Sequence, residues 1–198
     1  MTNPDRAAEF LRSKGGKRPQ TAVILGTGLG GLSDEVDVAA SIPFGEIPGF
    51  PTTSVEFHTG RLLLGELDGR PVAVLDGRCH YYEGNSMEDL AFPVRVLRRL
   101  GCNTLVITGA VGGLNPMYRR GDIVGVDDHL NLLWRNPLIG PNDESVGPRF
   151  PDMSRPYDEA LLDLAESASC TLGRALHRGV YAFVPGPCLE TRAEYRLL

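Results

Sequence analysis

Apolar and polar positions along this chain fall into short blocks whose period changes from one to the next. Residues 7–11 keep helical spacing up to Gly15-Gly16, and the apolar run at 21–25, TAVIL, reads as a buried strand. That strand runs straight into glycines. Between 61 and 76 the stretches RLLLGEL and RPVAVLD flank Asp68-Gly69, a dipeptide suited to the left-handed dihedrals of a two-residue hairpin loop. Ser86, with Asp89 three residues on, predicts a helix start. Leu90, Val94, Val96 and Leu97 carry its apolar face toward Gly101, and Pro93 predicts a kink or a second start.

Further along, the pattern predicts a buried strand at 103–108, a glycine-rich loop at 109–116 and a strand at 122–126. Residues 131–156 are proline-rich, lack sustained periodicity and exceed an ordinary connection, which points to a functional or intersubunit segment. Helical spacing returns at 157–176 through Leu161, Leu162, Leu164, Ala165 and Ala168. A strand at 179–184 then enters the turn Pro185-Gly186-Pro187. Residues 190–198 open another helical pattern and carry no glycine, asparagine or proline stop signal, so they read as an interrupted helix. The alternation predicts an α/β architecture with some antiparallel pairing, in a single domain over 1–198.

Composition narrows what such a domain does. With 198 residues, 42% hydrophobic and 23% charged, the chain can build one sizeable core. A formal charge of -5 disfavours a nucleic-acid partner, since those binders usually carry a basic footprint. Any bound anion is expected to be small and locally held. Cys79, Cys102, Cys170 and Cys188 are widely spaced and form no C-x-x-C pair, so neither a disulfide framework nor a metal site is expected. A reducing cytoplasm is the default setting. The first twenty residues are charged and no apolar run approaches the roughly 18 needed to cross a bilayer, so no membrane association is expected.

Four constellations carry candidate chemistry. In Gly26-Thr27-Gly28-Leu29-Gly30-Gly31 a strand ends in a turn whose backbone N–H groups can approach an anion, with the Thr27 hydroxyl beside them. Gly26, Gly28 and Gly31 also satisfy G-x-G-x-x-G, but the following SDEVDVAASIPFGEIPGFP has little helical amphipathicity and too much proline for the unit a dinucleotide fold expects. A tight turn with no ligand is the plain alternative. In Gly77-Arg78-Cys79-His80-Tyr81-Tyr82-Glu83-Gly84, continued extended geometry would put Arg78, His80 and Tyr82 on one face. The Arg fork suits phosphate oxygens, the imidazole adds a donor tunable near neutral pH, and the Tyr82 ring and hydroxyl suit a sugar. A solvated strand end is the alternative. The strand-to-loop run ending in Thr108-Gly109-Ala110-Val111-Gly112-Gly113 offers unobstructed N–H groups, or is simply a crowded loop. Finally, Glu190 places a carboxylate near a helix start, as a ligand contact or as a first-turn acid favoured by the helix dipole.

Together these segments resemble the trimeric purine nucleoside phosphorylases in order and spacing, through GTGLGGL, EIPGFP, FHTGRL, GRCHYYEG, FPVRVLRRLG, GGLNP, DHLNL, NPLIGPND, RFPDMS and GPCLETRAE, from about residue 20 onward. The resemblance implies a three-layer α/β/α sandwich around a mixed, barrel-like sheet. It also implies phosphorolysis of purine (deoxy)ribonucleosides to free base and (deoxy)ribose 1-phosphate, a step of purine salvage. Carried across by position, phosphate would meet Thr27, His58, Arg78, His80 and the N–H of Ala110, and Tyr82 would meet the ribose. Glu190, Tyr181 and Leu189 would line the purine, with His80 and Glu190 in catalytic roles. Phe150 would be lent to a neighbouring subunit of a homotrimer. Inorganic phosphate would be a co-substrate, with no cofactor and no metal.

Several positions depart from the family pattern. Thr27 stands where the family often has serine; threonine there resembles the related methylthioadenosine phosphorylases, although the Arg78-to-Gly84 wording favours the nucleoside phosphorylases. Leu189 replaces a common phenylalanine, and Gly109 a frequent asparagine. Relatives continue past Leu198 into further sheet, a second phosphate-contacting serine, an asparagine at the purine imidazole edge and a final helix. The resemblance therefore implies a chain incomplete at its C-terminus, weak turnover, and a non-catalytic nucleoside- or phosphate-binding remnant as an alternative.

Overall fold

A computed structural model of the chain describes residues 3–53 and 60–198. The fold divides into two compact units, Met1–Val111 and Gly112–Leu198.

The first unit contains helix α1 (Pro4–Ser13), strands β1 (Thr21–Ile24), β2 (Asp37–Pro43), β3 (Arg61–Leu67) and β4 (Arg70–Asp76), helix α2 (Met87–Leu100) and strand β5 (Thr104–Ile107). Its sheet has the order β2-β3-β4-β1-β5. The first three strands pair antiparallel, while β4, β1 and β5 run parallel to one another. The β3–β4 hairpin turns on Asp68 (φ 49) and Gly69 (φ 71), both left-handed as the loop type demands.

Strand periodicity sends alternate side chains to two separate cores. Ala22, Ile24, Leu62, Leu64, Ala73 and Leu75 face a large core closed by Ala7 and Leu11 of α1 and Phe92, Val96, Leu97 and Leu100 of α2. Val23, Leu25, Leu63, Val72 and Val74 face a smaller one with Val36 and Leu32. Burial on both faces explains why these strands read as unbroken apolar runs in sequence.

Helix α2 begins as expected at Ser86, whose hydroxyl accepts from the Asp89 N–H while the Asp89 carboxylate accepts from the Ser86 N–H. Pro93 does not open a second helix; one helix runs through it. An internal proline costs about 3 kcal/mol. Burying four large side chains at about 1.5 to 3 kcal/mol each outweighs that cost. Strand β5 also differs from expectation. Among the described residues it lies at the sheet edge beside β1 alone, and Val106 is 44% and Ile107 61% exposed instead of buried.

The second unit contains β6 (Ile123–Asn131), α3 (Glu159–Thr171), β7 (Leu176–Phe183) and α4 (Arg192–Leu197). Strands β6 and β7 pair in parallel, with a register shift between Val126 and Asp128. That irregularity absorbs Asp127 and carries β6 five residues beyond the segment predicted from sequence. Helix α3 ends earlier than predicted. Gly173 takes φ 64, its N–H donates to the Cys170 carbonyl and the Arg174 N–H donates to Ser169, so Leu176 belongs to β7. Arg178 of β7 ties the strand to α3 through Asp163 and through Glu166 at 3.1 Å. None of the described side chains in this unit is buried; Ile123, Leu130, Leu164, Leu172 and Val180 are all more than half exposed.

Candidate functional site

Parallel pairing brings the C-terminal ends of β4, β1 and β5 to one edge of the first sheet, the edge where open α/β sheets usually bind ligands. A loop leaves each end, and hydrogen bonds knit the three together. The Gly26 N–H donates to Thr108 Oγ1 at 3.1 Å, that hydroxyl donates to the Ile24 carbonyl at 3.2 Å, and Arg78 Nη1 donates to the Thr108 carbonyl at 2.7 Å. Thr27, Gly28 and Ala110 lie exposed on these loops, Gly28 with φ 87. An anion held here would meet backbone N–H groups and a guanidinium with its orientation already set.

Arg78, His80 and Tyr82 do not share a strand face. β4 stops at Asp76, Gly77 turns the chain with φ 108, and Tyr81–Glu83 forms a 3-10 turn. That turn brings two of the three together another way, stacking the His80 and Tyr82 rings at 4.8 Å with 16° between planes. Tyr82 stays 45% exposed, able to present a ring and hydroxyl to a sugar.

Glu83 is a residue that sequence reasoning did not single out. Its carboxylate accepts from the His80 N–H at 2.6 Å, pairs with His80 Nδ1 at 2.9 Å and accepts from the Thr53 hydroxyl at 3.3 Å, with its side chain 4% exposed. A carboxylate beside Nδ1 favours the tautomer that carries its proton on that nitrogen. The i,i+3 spacing from His80 was the available signal, and it became meaningful only once the turn was known. Thr108 was likewise missed as the residue that joins all three loops.

Cys79 lies between Arg78 and His80 in surroundings that disfavour its thiolate. Burial, with the charges of Glu83 and Asp89 adding to it, pushes its thiol up to about 11, and burial pushes Cys102 to about 11 as well. At pH 8 only about 0.1% of such thiols are ionised. We therefore expect a thiol reagent at pH 8 to label the exposed Cys170 and Cys188 first, the half-buried Cys79 more slowly and the buried Cys102 last. Peptide mapping that finds fast labelling at Cys79 would contradict this environment.

The second unit holds the remaining sequence-predicted positions. Tyr181 sits on β7 opposite His129 of β6, its ring stacked on Phe183 at 6.4 Å. The Tyr157 hydroxyl reaches His129 Nδ1 at 3.2 Å, and burial followed by the charges of Asp128 and Tyr181 raises its pKa. Leu189 and Phe150 are 84% and 87% exposed. Glu190 is not a first-turn acid. Thr191 is the N-cap of α4 and Glu194 fills the third position of its capping box, so Glu190 precedes the helix altogether. His58 lies outside the described residues. Among the described residues no cluster of three or more His, Cys, Asp or Glu could hold a metal, and no helix is long and apolar enough to cross a membrane.

The sheet edge, its glycine loop and the Arg78–His80 turn form an arrangement on an α/β scaffold that could hold an anion, and comparison with known proteins gives that scaffold a family. A model of the phosphorylase superfamily matches residues 20–198. The chain is 46% identical over 194 residues to purine nucleoside phosphorylase 1 of Geobacillus stearothermophilus, covering 98% of this chain and 71% of that protein. It is 48% identical over 198 residues to the purine nucleoside phosphorylase of Rattus norvegicus, covering 98% and 68%. Among solved structures, it superposes on a Schistosoma mansoni purine nucleoside phosphorylase complexed with a monocyclic inhibitor with a TM-score of 0.91 at 40% identity, covering 98% and 74% of the two chains. A purine nucleoside phosphorylase in complex with ribose-1-phosphate gives 0.92 at 41% identity, with the same coverage. The chain belongs to the purine nucleoside phosphorylase family of the phosphorylase superfamily and has its mixed α/β fold.

Proposed function

We propose that this protein cleaves purine (deoxy)ribonucleosides with inorganic phosphate, releasing the base and (deoxy)ribose 1-phosphate. The observation that carries this reading is the anion site itself: a guanidinium fixed on Thr108, a glycine turn beside it, and a histidine aimed by a buried carboxylate. Phosphate would sit against Thr27, Arg78, His80 and the Ala110 N–H, with His58 nearby, and Tyr82 would contact the ribose. As the glycosidic bond breaks, its electron pair leaves with the purine while a phosphate oxygen bonds to the anomeric carbon. Positive charge developing on the sugar is stabilised by the phosphate anion. Glu190 would accept from a purine N–H and steady the departing ring, with Tyr181 and Leu189 lining the base. His80 and Glu190 are the groups assigned catalytic roles.

The same reading covers the wider setting. Phe150 projects from the long 132–158 connection, as a side chain lent to a neighbouring subunit of a homotrimer would. The superfamily model runs through both compact units, which supports one catalytic domain over 1–198. Phosphate serves as co-substrate without a cofactor, and the four free cysteines suit a cytoplasmic setting.

Inosine or guanosine should disappear only when phosphate is supplied, as followed by base release. Cleavage without phosphate, or strict preference for methylthioadenosine, would overturn the assignment. Arg78→Ala should raise the KM for phosphate by about 10²-fold, because charge-assisted hydrogen bonds contribute about 1.5 to 3 kcal/mol each. An unchanged KM would remove Arg78 from the phosphate site.

A further inference from the structure

We infer that Gly109 is a positioning residue: its missing side chain seats the Arg78 guanidinium against Thr108 and so sets the affinity for phosphate. The inference rests on the phosphate reading of these loops. A Cβ placed on Gly109 would lie 2.7 Å from Arg78 Nη2, 3.4 Å from Nη1 and 3.5 Å from Cζ, its three nearest atoms all belonging to that one guanidinium. The backbone does not itself require glycine here, because its φ lies outside the left-handed region. What glycine supplies is room for the fork to lie close enough for Nη1 to donate to the Thr108 carbonyl at 2.7 Å.

Gly26 provides the contrast. A Cβ there would meet the Thr108 carbonyl oxygen at 2.6 Å and Gly109 Cα at 2.7 Å, so its neighbours are backbone. The Thr108–Gly109 backbone is thus pressed by Gly26 and by Arg78, each approach permitted by a missing side chain. One neighbour is rigid and the other is the far end of a flexible side chain. Alanine at Gly109 therefore leaves the loops in place and lifts only the guanidinium, which loses its carbonyl anchor. A fork held less firmly in advance gives up more freedom when an oxyanion arrives, and affinity falls.

The test titrates inorganic phosphate calorimetrically into the wild-type chain, Gly109→Ala, Arg78→Ala and the double variant. We expect Gly109→Ala to weaken phosphate binding about tenfold while its Tm without phosphate stays within about 2 °C of wild type, as substitutions that disturb no backbone do. In the Arg78→Ala background the Gly109 change should add nothing, because the two act as one unit. Wild-type affinity in Gly109→Ala alongside weakened Arg78→Ala overturns the inference and leaves the phosphate site standing. Additive losses, or a large fall in phosphate-free Tm for Gly109→Ala, overturn it equally, since Gly109 would then act through the backbone. Wild-type affinity in Arg78→Ala overturns the phosphate reading itself.

Discussion

Alanine in place of Gly26 will lower stability by about 3 kcal/mol, at the upper end of the range for inserting a methyl group into a filled space. The residue is buried, and the added carbon would come within 2.6 Å of the Thr108 carbonyl oxygen and 2.7 Å of Gly109 Cα. Neither atom can rotate away. Relief requires the loops after β1 and β5 to separate, which breaks the Gly26 N–H bond to Thr108 Oγ1 and unsettles the carbonyl that seats Arg78. Calorimetry should show a Tm roughly 6 to 12 °C below wild type for a chain of this size, accompanied by loss of phosphate binding. A change smaller than about 2 °C would mean that the two loops are not interlocked as described.

The other large effect is expected at Glu83. Glu83→Ala removes a buried carboxylate that accepts from the His80 N–H and the Thr53 hydroxyl and lies 2.9 Å from His80 Nδ1, and should slow phosphorolysis by about 10²-fold, the scale of a positioned acid–base group. It should also cost about 2 kcal/mol, the worth of charge-assisted bonds whose partners are left behind. A structural role alone would produce the second result without a change at the imidazole. Nitrogen NMR of His80 separates the two: the neutral ring should carry its proton on Nδ1 in the wild type and shift toward Nε2 in the variant. An Nε2-protonated wild-type ring would disprove the orienting role.

What sequence could and could not reveal follows from the range of the forces involved. The Asp68-Gly69 turn and the Ser86–Asp89 cap are decided within four residues, and both were legible. The reach of α2 through Pro93 was not, because it depends on a helix face buried by distant strands. Exposure of Ile107 was equally hidden, since an edge strand and a central strand carry the same apolar run. At the site, Arg78 and His80 were identified by type, but their relation was misjudged. Gly77 ends the extended geometry, and the His80–Glu83 pair and the Thr108 junction arise from turns and loops separated by up to 84 residues.

The position of β1 between β4 and β5 has a consequence for the newborn chain. β1 emerges before both of its neighbours, because Thr21 pairs with Val72 on one side and Thr104 on the other. At about 5 to 20 residues per second, roughly 3 to 10 s pass before the first neighbour is synthesised, and longer before the second. The β3–β4 hairpin, closed by its two-residue turn, needs only microseconds once made. Ala22, Val23, Ile24 and Leu25 therefore wait as an apolar segment without a ladder, and translation speed between Thr21 and Thr104 governs how long that segment is open to capture by chaperones or by other nascent chains.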